Sequence, residues 1–209
     1  EIHGAEMPGH YSAAADAGKE TAFLLAVLLV LFEAFGLAVG WDHGLLIAFG
    51  VGWLLWKVGR SAILGWARLE RLHRLIEEER WEIEHHREQE REELKAMYAS
   101  KGFEGKMLEE VTDVLMADDN RLLPVMLEEE LGLKLESFEH PLKQALGAGV
   151  GVLLAGVLVS AGSLVWGMNG ALVGSAFMIA FSASLSAKLE RNKPAVSVIW
   201  NLAVGALAV

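Results

Sequence analysis

From Gln144 to Ala187 the chain runs for 44 residues without one Asp, Glu, Lys or Arg. As a single helix this stretch would be about 66 Å long, twice the roughly 30 Å hydrocarbon core of a bilayer. It therefore predicts two membrane spans, with Gly167-Met168-Asn169-Gly170 as the turn and Trp166 at the interface. Two further apolar runs lie near the start, at 21–41 and from 44 to about 66, and a fifth occupies 194–209. That last run has 16 residues, about 24 Å of helix, which is short for a span. The chain also begins at Glu1 rather than Met, so both ends read as pieces of a longer natural protein.

Charge divides the 209 residues differently. Residues 70–140 hold 21 of the 28 Asp and Glu and 10 of the 18 Lys and Arg, a local balance of −11, while the rest of the chain carries +1. The expectation is an all-α polytopic membrane protein with five transmembrane helices and a three-helix acidic insertion between spans 2 and 3. Its parts are an arm at 1–20, spans 1 and 2 within 21–68, an acidic domain at 69–140, and spans 3 to 5 within 141–209. Lys57, Arg60, Arg68 and Arg71 follow span 2, Lys143 precedes span 3, and Lys188, Arg191 and Lys193 join spans 4 and 5. The 1–2 and 3–4 connections carry no Lys or Arg, so the positive-inside rule places the arm and the acidic domain in the cytosol. An acidic module argues against nucleic acid and for cations. The absence of cysteine removes thiolate metal sites, and no secretory signal pattern, phosphate loop or Ser-His-Asp order is visible.

Within the acidic domain the pattern predicts three helices. The first continues out of span 2 to about Ser100, where Lys101-Gly102 ends it. The second runs from about Lys106 to Met116. The third takes Asn120 as its N-cap, accepts Pro124 in its first turn and ends at Leu131-Gly132. On the first of these, Leu72, Leu75, Glu79, Glu82, His86, Glu90, Glu93 and Met97 fall on one stripe, with steps of three and four. A packing seam normally buries leucine, yet the middle of this one is four carboxylates and an imidazole. Aligned carboxylates repel unless a cation lies between them. Carboxylates favour Mn²⁺, Mg²⁺ or Ca²⁺, and an imidazole suits iron or zinc. Glu79/Glu82 and Glu90/Glu93 are about 16 Å apart on a straight helix, so the stripe implies either two sites or a bend near His85-His86. A solvated helix, salt-bridged through Arg80, Arg87, Arg91 and Lys95, is the alternative.

Met126 and Glu130 are four residues apart on the third helix and could add a thioether and a carboxylate from a second element; as plain structure they are a core residue and a solvated end. Glu33 lies within span 1, while Lys57 and Arg60 lie within span 2, where they pair or snorkel. Glu82-Ile83-Glu84-His85 matches one Glu-x-x-His of the di-iron bundle type, which needs two.

The run Glu79-Arg-Trp-Glu-Ile-Glu-His-His-Arg-Glu-Gln-Glu-Arg-Glu-Glu-Leu94, with Tyr98 to Phe103 and Met126 to Leu133, resembles the vacuolar iron transporter family. The layout of two spans, a cytosolic three-helix insertion and three further spans is similar too. The resemblance implies metal ligands at Glu79, Glu82, Glu90, Glu93, Met126 and Glu130, with His86 as an additional candidate and Glu20 and Glu33 as candidates along a transport path. It implies a non-enzymatic homodimer in the lipid bilayer that exports Fe²⁺ or Mn²⁺ from the cytosol in exchange for protons, with Zn²⁺ or Co²⁺ as surrogates. The membrane would be the plasma membrane in a bacterium and a vacuolar-type membrane in a eukaryote. The chain departs from the family pattern at four places. Glu20 stands where Asn-Asp-Gly is usual, and Gly59-Arg60-Ser61 replaces Gly-Glu-Tyr. Arg87 replaces a proline between the Glu pairs, and Leu127 replaces a second Met. These departures keep open a membrane-anchored metal-binding or sensing protein without transport, with a ferroxidase-like enzyme as a third reading.

Overall fold

The computed structural model describes residues 8–36, 41–129, 132 and 139–208. Every regular element among them is an α-helix: α1 Gly9–Ala34, α2 Trp41–His85, α3 Arg87–Ser100, α4 Gly105–Met116, α5 Asp119–Glu129, α6 Pro141–Leu189 and α7 Pro194–Ala208. Two compact units are present, one of residues 1–66 with 139–209 and one of residues 67–138, and α2 contributes to both.

In the first unit, α6 is interrupted at Trp166 (φ −137°, ψ 18°) and Gly167 (φ 57°, ψ −141°). A side chain at the positive φ of Gly167 would be strained. The chain reverses there. A Cβ on Gly162 would collide with the Gly170 carbonyl, and one on Gly174 would lie 2.8 Å from the Leu158 carbonyl oxygen. In a straight helix residues 158 and 174 would be about 24 Å apart, so α6 is a hairpin with arms 141–165 and 168–189, about 37 and 33 Å long. The turn falls at the front of the stretch singled out in the sequence.

Backbone contacts hold α1 against this hairpin. A Cβ on Gly147 would overlap the His10 carbonyl, and one on Gly151 the Ala14 carbonyl. Small residues that let helix backbones touch are the usual device of packing in lipid. Higher up, Ala22 and Leu25 of α1 join Ala155 and Val159 of the first arm and Ala171, Met178 and Ile179 of the second in one core. Helix α7 lies on α6, with Leu202 against that core and Ser197 Oγ donating to the Ala183 carbonyl at 3.3 Å. At the start of α1, the Glu139 carboxylate accepts from the His10 backbone N–H (2.6 Å) and pairs with Lys143 Nζ (2.8 Å). Burial pushes this carboxyl up, but Lys143 and the His10 donors outweigh it and hold the group below its ordinary 4.5.

Among the described residues, the stretch Gly44–His85 and α6 are long and apolar enough to cross a membrane, and α6 does so as two arms. Leu55, Trp56, Ile63, Leu146, Val157 and Phe177 point outward. So much exposed apolar surface is foreign to a soluble monomer and ordinary for a chain solvated by lipid.

Two expectations change here. The arm expected at 1–20 is helical from Gly9, because α1 begins where its small residues meet α6. The span expected to reach 41 ends earlier: α1 stops at Ala34, followed by Phe35 and by Gly36 at φ 62°. Glu33 is therefore an exposed residue of the last helical turn rather than a charge inside a span.

The second unit packs α2, α3, α4 and α5 around Ile83, Leu94, Met116, Leu122 and Met126, with Met97 and Tyr98 partly buried beside them. The helix expected to continue to about Ser100, either straight with two sites or bent near His85-His86, is interrupted at His86 (φ −122°, ψ 35°). Ile83 and Leu94 both join this core, whereas on a straight helix they would be about 16 Å apart. No proline makes the bend. Arg87, the next residue, donates to the Met116 carbonyl and pairs with Asp119 Oδ1 at 2.8 Å, which pins the break to the end of α4 and the start of α5. The cap of α5 is Asp118 rather than Asn120: its carbonyl accepts from Leu122 N–H (3.0 Å) and its Oδ1 from Asn120 N–H (3.0 Å).

Gly151→Ala forces a methyl into the Ala14 carbonyl and is expected to lower the melting temperature in detergent, the strain being about 1–3 kcal/mol. Gly156→Ala, on the same arm with nothing within 4 Å of its added methyl, is the control and should not lower it. Equal melting of the two variants would mean that the α1–α6 contact is not close.

Candidate metal centre

The acidic stripe is divided by the bend. Glu79 and Glu90 are buried, at 5% and 2% exposure, while Glu82 is exposed and Glu93 is half-buried and accepts from Gln89 Nε2 at 3.1 Å. Each buried carboxylate stands one turn before a core residue, Glu79 before Ile83 and Glu90 before Leu94. Both thus flank the core to which Met126, fully buried, belongs. His86 is the exposed junction residue, its ring edge-on to Trp81 at 5.2 Å. His85 stacks on the same Trp81 at 4.5 Å, and its Nδ1 lies 2.9 Å from the Trp81 carbonyl oxygen. That nitrogen faces backbone, so the Glu-x-x-His does not present it to a metal. Glu130 lies outside the described residues. Among those described, no group of three or more His, Asp or Glu side chains is gathered as a cation-binding cluster.

The cations expected to balance the stripe have another task. Arg87, Arg91 and Lys95 recur every four residues along α3 and face the acids of α4 and α5. Arg87 pairs with Asp119, Arg91 with Asp113 and with Glu109 (3.4 Å), and Lys95 with Glu109 (2.9 Å). Helix α3 thus has one face of ion pairs toward α4 and another carrying Glu90 and Leu94 into the core. Sequence reading placed these cations against the stripe. The spacing of Glu109 and Asp113, also four apart, is the signal that matches the two rows.

Lys95, then Arg91, hold the Glu109 carboxyl below its ordinary 4.5, and the Asn120 N–H, then Arg121, hold Asp118 below 3.8. A carboxyl lowered by folding stabilises the fold above its ordinary value and loses that contribution as pH falls through the folded value.

In the membrane unit Glu20 is joined to Lys57, Nζ to Oε2 at 2.7 Å. Beside them Thr21 Oγ1 donates to the Ala17 carbonyl (2.6 Å) and accepts from Trp53 Nε1 (2.9 Å). Sequence reading named Glu20 and Lys57 separately; they stand 37 residues apart and no periodicity links them.

Span-length helices with lipid-like exposure, joined to an acidic helical unit, define an integral membrane protein. The model of the VIT family matches residues 67–209. The chain belongs to this family, the vacuolar iron transporters, a class of membrane ion transport proteins. No curated protein and no solved structure matches it.

As pH falls below the ordinary 4.5 of Glu109 and 3.8 of Asp118 and through their lower folded values, amide protection, corrected for the intrinsic rate, is expected to fall first in α4 and at the start of α5. Glu109→Gln should remove part of that pH dependence in α4. Protection that stays flat to about pH 3 would show that these pairs do not hold the unit together.

Proposed function

We propose that the protein exports Fe²⁺ or Mn²⁺ from the cytosol in exchange for protons, and that its acidic unit captures the ion on the cytosolic side. The observation that carries this reading is the pair of buried carboxylates, Glu79 and Glu90, on either side of the His86 bend and next to the Met126 core, in a chain of the VIT family. Carboxylate oxygen with a nearby thioether suits borderline divalent ions better than Ca²⁺ or Mg²⁺. Glu82, Glu93 and Glu130 complete the proposed ligand set, with His86 at its edge. Four spans fit the lengths: α1, the membrane part of α2 and the two arms of α6; α7, with 15 residues, is a short fifth. The basic residues flanking α6, Lys143, Lys188, Arg191 and Lys193, support a cytosolic acidic unit. A homodimer would cover part of the outward apolar surface and let two copies share ligands.

One observation favours a second reading, a membrane-anchored metal-binding or sensing protein: Glu20, a carboxylate available within the membrane unit, already holds an ammonium. Flux separates the two. Proteoliposomes containing the full chain are expected to take up Mn²⁺ or Fe²⁺. Intact binding without uptake would leave only the second reading.

Glu79→Ala with Glu82→Ala is expected to lower Mn²⁺ stoichiometry in calorimetry by roughly one ion per protomer. Unchanged stoichiometry would show that the stripe is a solvated face. Met126→Leu keeps core volume and should cost under about 1.5 kcal/mol of stability. Its expected effect is to weaken Fe²⁺ more than Mg²⁺; equal affinities in variant and wild type would remove the thioether from the ligand set.

A further inference from the structure

The geometry points to Lys57 as a tethered cation that occupies Glu20 at mid-membrane and competes with the transported ion for it. This inference rests on the transport reading above. It also lies outside the part of the chain that matches the family, which begins at residue 67.

The depth of the pair follows from its neighbours. A Cβ on Gly18 would meet Met178 Cε and lie 3.2 Å from Ser182 Oγ of the second α6 arm, and 3.5 Å from the Gly151 carbonyl oxygen of the first. Gly151 is near the middle of arm 141–165, and Met178 is near the middle of arm 168–189. Gly18 is thus level with the centre of three helices, and Glu20 and Thr21 lie within one turn of it. Trp53, one turn before Lys57, packs against Ala17, Ala148 and Val152 at the same level. A carboxylate and an ammonium at this depth are costly and mark function more often than architecture.

The two partners are not equally enclosed. The Lys57 side chain is 11% exposed and the Glu20 side chain 50%. Lys57 Nζ also stands 5.8 Å from the centre of the Trp53 ring, whose indole N–H is fixed on Thr21. The ammonium is therefore held in place, and the carboxylate opens outward. A pair that served packing alone could be replaced by apolar side chains at little cost, and nothing would require one end to stay open. The other charges at this level do not compete: Asp16 and Lys19 pair with each other at 2.9 Å, and Arg60 is exposed one turn beyond Lys57. A divalent ion arriving at Glu20 meets a carboxylate already neutralised, and must displace the ammonium to bind. Lys57 thereby keeps Glu20 from trapping the ion and returns to it when the ion leaves.

The test is equilibrium Mn²⁺ binding by the full chain in lipid nanodiscs, in a Glu79→Ala/Glu82→Ala background that reduces binding by the acidic unit. Lys57→Met is expected to add about one Mn²⁺ site per protomer, or to tighten a weak one by about tenfold or more. Lys57→Arg should behave as the parent, and Lys57→Met with Glu20→Gln should lack the added site. If Lys57→Met melts early while the double variant does not, Mn²⁺ is expected to restore the melting temperature of the single variant. A folded Lys57→Met protein that binds Mn²⁺ no better than its parent would overturn the proposal. An added site that survives Glu20→Gln, or early melting that Mn²⁺ does not restore, would do the same. Because binding rather than flux is read, failure of wild-type transport in proteoliposomes would be a separate result.

Discussion

The membrane unit depends on backbone meeting backbone between α1 and the first arm of α6. Lipid is as apolar as leucine, so burying apolar side chains supplies little drive for these helices to associate, and close approach has to do so. Gly147 under the His10 carbonyl and Gly151 under the Ala14 carbonyl allow it. These contacts also set register. With His10 and Ala14 fixed, Gly18 must fall between Gly151 and Met178, and Glu20 and Thr21 must fall beside Trp53 and Lys57. The Glu20–Lys57 pair is thus positioned by glycines that carry no chemistry. The Glu139 link to His10 and Lys143 holds the same register from the end of the helices.

The acidic unit is held by a different balance. Among the described residues its main core cluster is small, five buried apolar side chains with a few partly covered ones, and its surface charge repels itself. The Arg87, Arg91 and Lys95 row offsets part of that repulsion by docking α3 on the acids of α4 and α5. Exposed pairs of this kind contribute little one by one. As a row they do something geometrically specific: they fix which face of α3 looks toward α4, and so which face carries Glu90 and Leu94 inward. The bend at His86 comes from the same set, since Arg87 is both the residue after the break and the donor to the Met116 carbonyl.

What the sequence made legible was whatever local composition decides. The uncharged 144–187 stretch had to fold back, and Gly167 marked where. Helix α4 lies within a residue or so of its expected bounds. What it hid was decided by tertiary contact. The break at His86 has no proline or glycine to announce it; the spacing of the Glu pairs left it as one of two alternatives, and the core that Ile83 and Leu94 share decides for it. Asp118 displaced Asn120 as cap because both are good caps and the chain needs only one. The early start of α1 at Gly9 follows from α6, not from the polarity of residues 9–20. Of the candidate site, the stripe was legible as a periodicity, but its division into buried Glu79 and Glu90 and more open Glu82 and Glu93 required the bend. The partnership of Glu20 with Lys57 was invisible, because long-range pairs leave no local pattern.

The two places where carboxylates matter differ in solvent, and that difference bears on how an ion could pass. In the acidic unit Glu82 is exposed and Glu93 half-buried, so these carboxylates keep contact with solvent. In a water-excluded setting a bare carboxylate would hold a divalent ion more tightly than one in water. Conduction requires sites that are favourable to enter and weak enough to leave. An ammonium on Glu20 at 2.7 Å meets that requirement without removing the carboxylate, because it supplies a competing charge that cannot diffuse away. Lys57 and Glu79 belong to different units of the chain. On the proposed reading, altering one of the two would change binding and altering the other would change conduction.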